Sequence, residues 1–172
     1  LLPSGDATAT FIGDLVSLGG SAGAAGTVVY GIDTEGMATI AQTVAGAPAI
    51  GVVVGFLPNQ ADLSVRYRTA STNRIALVAD DPNLLFEIQE VTGGTALTAT
   101  EVGLNADVVV GTGSTTTGMS AMELDNATEA STAGLNLRIV GLVRRPDNNF
   151  GEHAKWLVML MDHQLRGGVT GA

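Results

Sequence analysis

Apolar and polar residues alternate most clearly at positions 63–68. Leu63, Val65 and Tyr67 take one side, and Ser64, Arg66 and Arg68 take the other. A period of two predicts a strand with one buried face and one wet face. Further β-type runs occupy positions 7–18, 28–30, 39–44, 50–56, 74–79, 85–91, 108–110, 137–143 and 155–161. Turn chemistry separates them: Gly13-Asp14 within the first run, Ala45-Gly46-Ala47-Pro48, Asp80-Asp81-Pro82-Asn83, Gly93-Gly94 and Pro146-Asp147-Asn148-Asn149. Positions 19–26 read as a flexible Gly/Ala loop and 111–118 as an exposed polar loop. One helical turn is expected at 100–105, with Thr100 as its N-cap and Glu101 in its first turn.

This pattern predicts an all-β chain, a β-barrel or β-sandwich with long loops and at most one or two short helices. With 172 residues, one domain spanning 1–172 has room for a full core. Its N-terminal (1–10) and C-terminal (165–172) segments are expected to be flexible.

Composition narrows the function. Hydrophobic residues make up 45%, which excludes a disordered chain, and only 4% are aromatic, so aliphatic side chains must fill the interior. The net charge of −9 argues against nucleic acid as a partner. The absence of cysteine removes disulfides, thiolate zinc sites and iron–sulfur clusters. The apolar run 44–57 is too short to span a bilayer as a helix and is broken by Pro48 and glycines, so no membrane partner is expected.

Candidate chemistry is sparse. The Gly19–Gly26 stretch lacks the lysine of a phosphate loop and leads into the β-formers Val28, Val29 and Tyr30, where a dinucleotide fingerprint would need a helix. His153 and His163 each adjoin a carboxylate, Glu152 and Asp162, but adjacent strand residues face opposite ways, so neither pair makes a metal site. Gly113-Ser114 and Met119-Ser120 sit in a polar loop region, without the strained strand-to-helix context of a nucleophile elbow. Asp80 and Asp81 read as turn formers ahead of Pro82, with calcium binding the less favoured reading. No catalytic, cofactor-binding or metal-ligating residue is assigned, and a small hydrolase or a barrel for an apolar ligand ranks low.

The residues singled out are candidates for protein interfaces. Arg144 and Arg145 form a basic pair on an acidic chain, suited to an ion-paired contact or to a plain strand end. Trp156 is either a core residue or an interface anchor. Met159 and Met161 share the Leu157 face of their strand, opposite Trp156, Val158 and Leu160. A strand apolar on both faces calls for a cover on each side, one of which could be a second subunit.

Taken in order, the segments resemble a family of tailed-bacteriophage head decoration, or capsid cement, proteins. The stretches that carry the likeness include Leu2-Pro3-Ser4-Gly5-Asp6-Ala7, Ile12-Gly13-Asp14-Leu15-Val16, Ile50-Gly51-Val52-Val53-Val54-Gly55-Phe56, Val78-Ala79-Asp80-Asp81-Pro82-Asn83, Gly103-Leu104-Asn105-Ala106-Asp107, Leu137-Arg138-Ile139-Val140-Gly141-Leu142-Val143 and Ala154-Lys155-Trp156-Leu157-Val158. Each alone is a strand or a turn; their succession is what matches. The resemblance implies a non-enzymatic virion protein that binds the outer surface of the capsid and stabilises adjacent capsomers. It would lie on the capsid exterior, after assembly in the host cytoplasm. The implied partners are the major capsid protein and other copies of this chain, a trimer first and a dimer second. Another virion part, such as a tail, spike or fibre domain, is the alternative.

Overall fold

The computed structural model describes residues 1–166. Twelve strands and one 3-10 turn make up its regular structure, and all strand pairing is antiparallel apart from isolated bridges. The first four-stranded sheet runs β4-β1-β5-β6, from β1 (Leu15–Ala22), β4 (Ala38–Gln42), β5 (Gly51–Phe56) and β6 (Ala76–Ala79). The second runs β7-β12-β11-β8, from β7 (Phe86–Gln89), β8 (Asn105–Ala106), β11 (Leu137–Leu142) and β12 (Lys155–Leu160). Two small ribbons complete the set: β2 (Val28–Val29) with β3 (Ile32–Asp33), and β9 (Val108–Val109) with β10 (Glu123–Leu124). The chain is all-β, and no sheet closes into a barrel.

Alternation decides where the cores sit. Leu15 and Val52 are register partners on one face of the first sheet, and they pack with Leu137, Ile139, Trp156, Val158 and Leu160 from the second. The opposite face of the first sheet carries Val16, Ile40 and Val53, covered by Leu2. In β12 the alternation is complete, with Trp156, Val158 and Leu160 buried and Leu157 and Met159 half-buried. β11 slips by one residue between Ile139 and Gly141, and β5 slips between Val53 and Gly55. A valine stands at each slip: Val140 is 40% exposed and Val54 56%.

Several expectations are corrected. Positions 63–68 form no strand. Leu63 lies in a turn at 78% exposure, while Arg68, expected in water, is wholly buried. The N-terminal segment 1–10 is tied down: Leu1 and Leu2 are buried, Leu2 bridges Arg74, and Thr10 bridges Arg68. The two buried arginines supply the reason. Arg68 donates to the carbonyls of Pro3, Asp6, Thr8 and Thr72 and pairs with the Asp6 carboxylate at 3.2 Å. Arg74 donates to the carbonyls of Leu57, Val65 and Tyr67, and its guanidinium lies 5.1 Å from the Phe56 ring centroid. A guanidinium has five donors in a fixed fork, so one side chain can satisfy the inward carbonyls of an irregular segment that has no ladder of its own.

Gly19 and Gly20 belong to β1 and not to a loop. The helical turn is a 3-10 turn at Ala99–Glu101, capped by Thr98 rather than Thr100, with the reciprocal Thr98 and Glu101 bonds of a capping box. Gly13, at φ 98°, makes the tight turn expected there. The Asp81 carboxylate accepts from the Asn83 N–H at 2.8 Å, as the turn reading requires. Of the C-terminal segment, Leu165 lies in a turn and Arg166 in a bend, whereas 167–172 falls outside the described residues.

Candidate interaction surfaces

The interface candidates separate once the sheets are built. Trp156 faces the core at 0% exposure. Its indole N–H donates to Glu90 Oε2 at 2.9 Å, and Phe150 covers it at a ring-centroid distance of 5.7 Å. The reading of Trp156 as an interface anchor is therefore corrected: it has no surface to offer. Glu90 is equally buried and also accepts from Leu97 N–H and Asn126 Nδ2, so every donor around that carboxylate is fixed.

Arg145 is committed within the chain. It makes a forked contact with Glu87 (3.1 and 3.4 Å) and approaches Asp147 at 3.6 Å. Arg144 is exposed and has no ion pair or hydrogen bond among the described residues. Met159 stands on the outer face of the second sheet, beside Arg138 in register. Met161 follows β12 half-buried, its N–H bonded to Asn136 O.

A groove of about 610 Å³ is lined by Val140 and Leu157 of that face together with Val102, Leu142 and Phe150, with Arg144 at its side. Val102, Val140 and Phe150 are each at least 40% exposed. The sequence singled out Arg144 and the Leu157 face, but not Val102, Val140 or Phe150. Alternation alone turns Val140 out, whereas the β11 bulge brings Leu142 back to the Trp156 face, and a bulge leaves no fixed residue signature. A second cleft of about 400 Å³ lies between the sheets, lined by Leu15 and Val52 on one side and by Phe86, Leu137 and Val158 on the other.

Sheet edges differ in cover. The outer edge of β4 is bonded by Leu1, and β8 by Ala130. β6 pairs only with β5, and no other backbone bond to it occurs among the described residues, whereas the free side of β7 is flanked by β10, through the Glu90–Leu124 bridge and the Gln89 to Glu123 bond at 2.8 Å. Leu77 of β6 is 50% exposed, and Leu84 and Leu85, just before β7, are 37% and 52% exposed. The Asp80–Asn83 turn leads from the open edge of β6 towards β7.

Titratable groups are scattered. Among the described residues, no three of His, Cys, Asp and Glu are placed to hold a metal ion. His153 sits in a turn at φ 62° beside Gln89. His163 is wholly buried and accepts from Leu165 N–H through Nδ1; burial, then the nearby Arg166, lower its pKa. Asp14 is buried between Phe11 N–H and Gln42 Nε2, and desolvation raises its pKa. No helix among the described residues is long and apolar enough to cross a membrane.

Comparison with family models, with curated proteins and with solved structures produced no match.

Proposed function

We propose that this chain is a non-enzymatic virion protein of a tailed bacteriophage, which binds the outside of the capsid and cements adjacent capsomers. The observation that carries the reading is the open edge of β6, which carries the half-exposed Leu77. An open edge is a template for another chain's strand, and folded proteins normally cover it or charge it. Here the side chains beside it are apolar. Main-chain bonding along such an edge gives affinity, and alternate side chains give register. The ordered likeness to head decoration proteins supplies the shell as the partner, and its segments include the β5, β11 and β12 cores of both sheets. The acidic balance suits an exterior that never meets the packaged DNA. Many copies on one shell need only modest affinity each, because the array multiplies engagement.

The test compares DNA-filled heads of the encoding phage carrying the chain with heads stripped of it. Heads carrying the chain should survive more heat and more chelator, and a map of the particle should place the domain on the outer surface with β6 against the shell. The Leu77→Lys variant should fold normally and bind heads less. Equal rupture of both kinds of head would defeat the cementing role. Density confined to the tail would move the chain to a tail, spike or fibre.

A further inference from the structure

Among the described residues, the most exposed large apolar side chain is Leu63, at 78%. Its loop is not slack. Asn59 accepts from Ala61 N–H at 3.0 Å, Asp62 accepts from Ser64 N–H at 2.9 Å and from the Ser64 hydroxyl at 2.6 Å, and Val65 N–H returns to Asp62 O. Consecutive turns of this kind hold the tip in one shape before any contact is made. The hydrogen bonds from Ser64 also lower the Asp62 pKa, so the tip presents an aliphatic side chain next to an ionised carboxylate. The opposite chemistry lies on the outer face of the second sheet, where an apolar groove of about 610 Å³ borders Arg144, a cation with no partner among the described residues.

We propose that the Asp62–Leu63 tip of one copy of this chain seats in the Val140–Phe150–Arg144 groove of a second copy. Leu63 enters the groove between Val102, Val140, Phe150 and Leu157, and the Asp62 carboxylate meets the Arg144 guanidinium at the rim. Charge complementarity selects the occupant. On a chain of net charge −9 the groove's unpaired guanidinium calls for a carboxylate next to an apolar side chain, and Asp62–Leu63 offers that pair on a preformed turn. The knob leaves the β5–β6 connection of the first sheet, and the groove belongs to the second. The contact is therefore heterologous, each copy giving a knob and receiving one, and such contacts close into rings when the rotation permits. This contact goes beyond shell binding and does not depend on it.

The experiment is sedimentation velocity on the full chain over a concentration series, with two variants whose changed residues are exposed. Leu63→Asp removes the knob and Arg144→Glu reverses the groove's charge. Matching melting curves establish that both remain folded. The wild type should form a closed oligomer, and each variant alone should associate at least about tenfold more weakly. An equimolar mixture of the two variants should recover one productive contact, an intact groove receiving an intact knob, and should sediment as a heterodimer. A wild type that stays monomeric overturns the proposal, as do variants that assemble like the wild type. A mixture that remains monomeric while the wild type associates also overturns it, because the interface would then be a symmetric one made elsewhere.

Discussion

Replacing Arg68 by methionine tests whether one buried guanidinium holds the N-terminal segment in place. The substitution keeps an unbranched apolar stem and removes every donor. It leaves the carbonyls of Pro3, Asp6, Thr8 and Thr72 without that partner in a site of no solvent access, and it strips Asp6 of its ion pair. Breaking a buried charged contact from one side costs about 3–5 kcal/mol, since the remaining polar groups keep their desolvation penalty. The half-wet Asp6 places this case near the middle of that range. For a domain of this size each kcal/mol moves the melting temperature by about 2–4 °C, so a fall of roughly 8–16 °C is expected by calorimetry. The loss should be local first: hydrogen exchange at the Leu2 and Thr10 amides, which bond across to Arg74 O and Arg68 O, should quicken before the β11–β12 core. Arg66→Met, two residues away and exposed, is the control and should stay within about 0.5 kcal/mol. If Arg68→Met melts within a degree or two of the wild type, the guanidinium is not the pin.

Other outcomes follow from the same geometry. Glu90→Ala strands the Trp156 indole and the Leu97 amide together, while Asn126 Nδ2 keeps Val91 O and Gly93 O, and should lower stability in urea by about 3 kcal/mol; an unchanged midpoint would contradict the buried network. Gly51→Ala places a Cβ 2.2 Å from Ala79 O, so β5 and β6 must part, and circular dichroism should show loss of cooperative folding; a wild-type melt would refute the close approach. Stability should also track pH through His163, whose pKa burial and Arg166 lower from 6.5, with Asp80 opposing. The unfolded chain then takes up the proton first, so this contribution is complete above about pH 6.5 and shrinks as pH falls towards the depressed value. Asp14 runs the other way. Its pKa is raised above 3.8, so the folded state holds the proton more tightly and gains stability as pH falls through that raised value. Urea midpoints between pH 7 and 5 should drop less in His163→Gln than in the wild type; parallel curves would exclude the histidine.

Pattern along the chain settled the class of fold, the strands at 50–56, 137–143 and 155–161, and the turns at Asp80–Asn83 and after Arg145. These depend on contacts within a few residues: alternation sets a strand's two faces, and Pro, Asp, Asn and Gly set local dihedrals. Asn148 shows the reach of that reading, since its turn was visible in the sequence, although its clamp on Val143 O and Lys155 O was not. What tertiary structure decided was which alternating run finds a neighbouring strand. Positions 63–68 have the best period-two pattern but no partner strand, and buried Arg68 and Arg74 supply the donors that a ladder would have supplied. The same holds for the surfaces. Composition exposed Arg144 and Arg145 as a pair, but only the approach of Glu87, 58 residues away, silences one and leaves the other. The groove needs a bulged strand, its neighbour and a phenylalanine from the following loop, and Leu63 becomes a knob only because its turn faces outward. Such juxtapositions come from chain segments far apart in sequence, and no local periodicity encodes them.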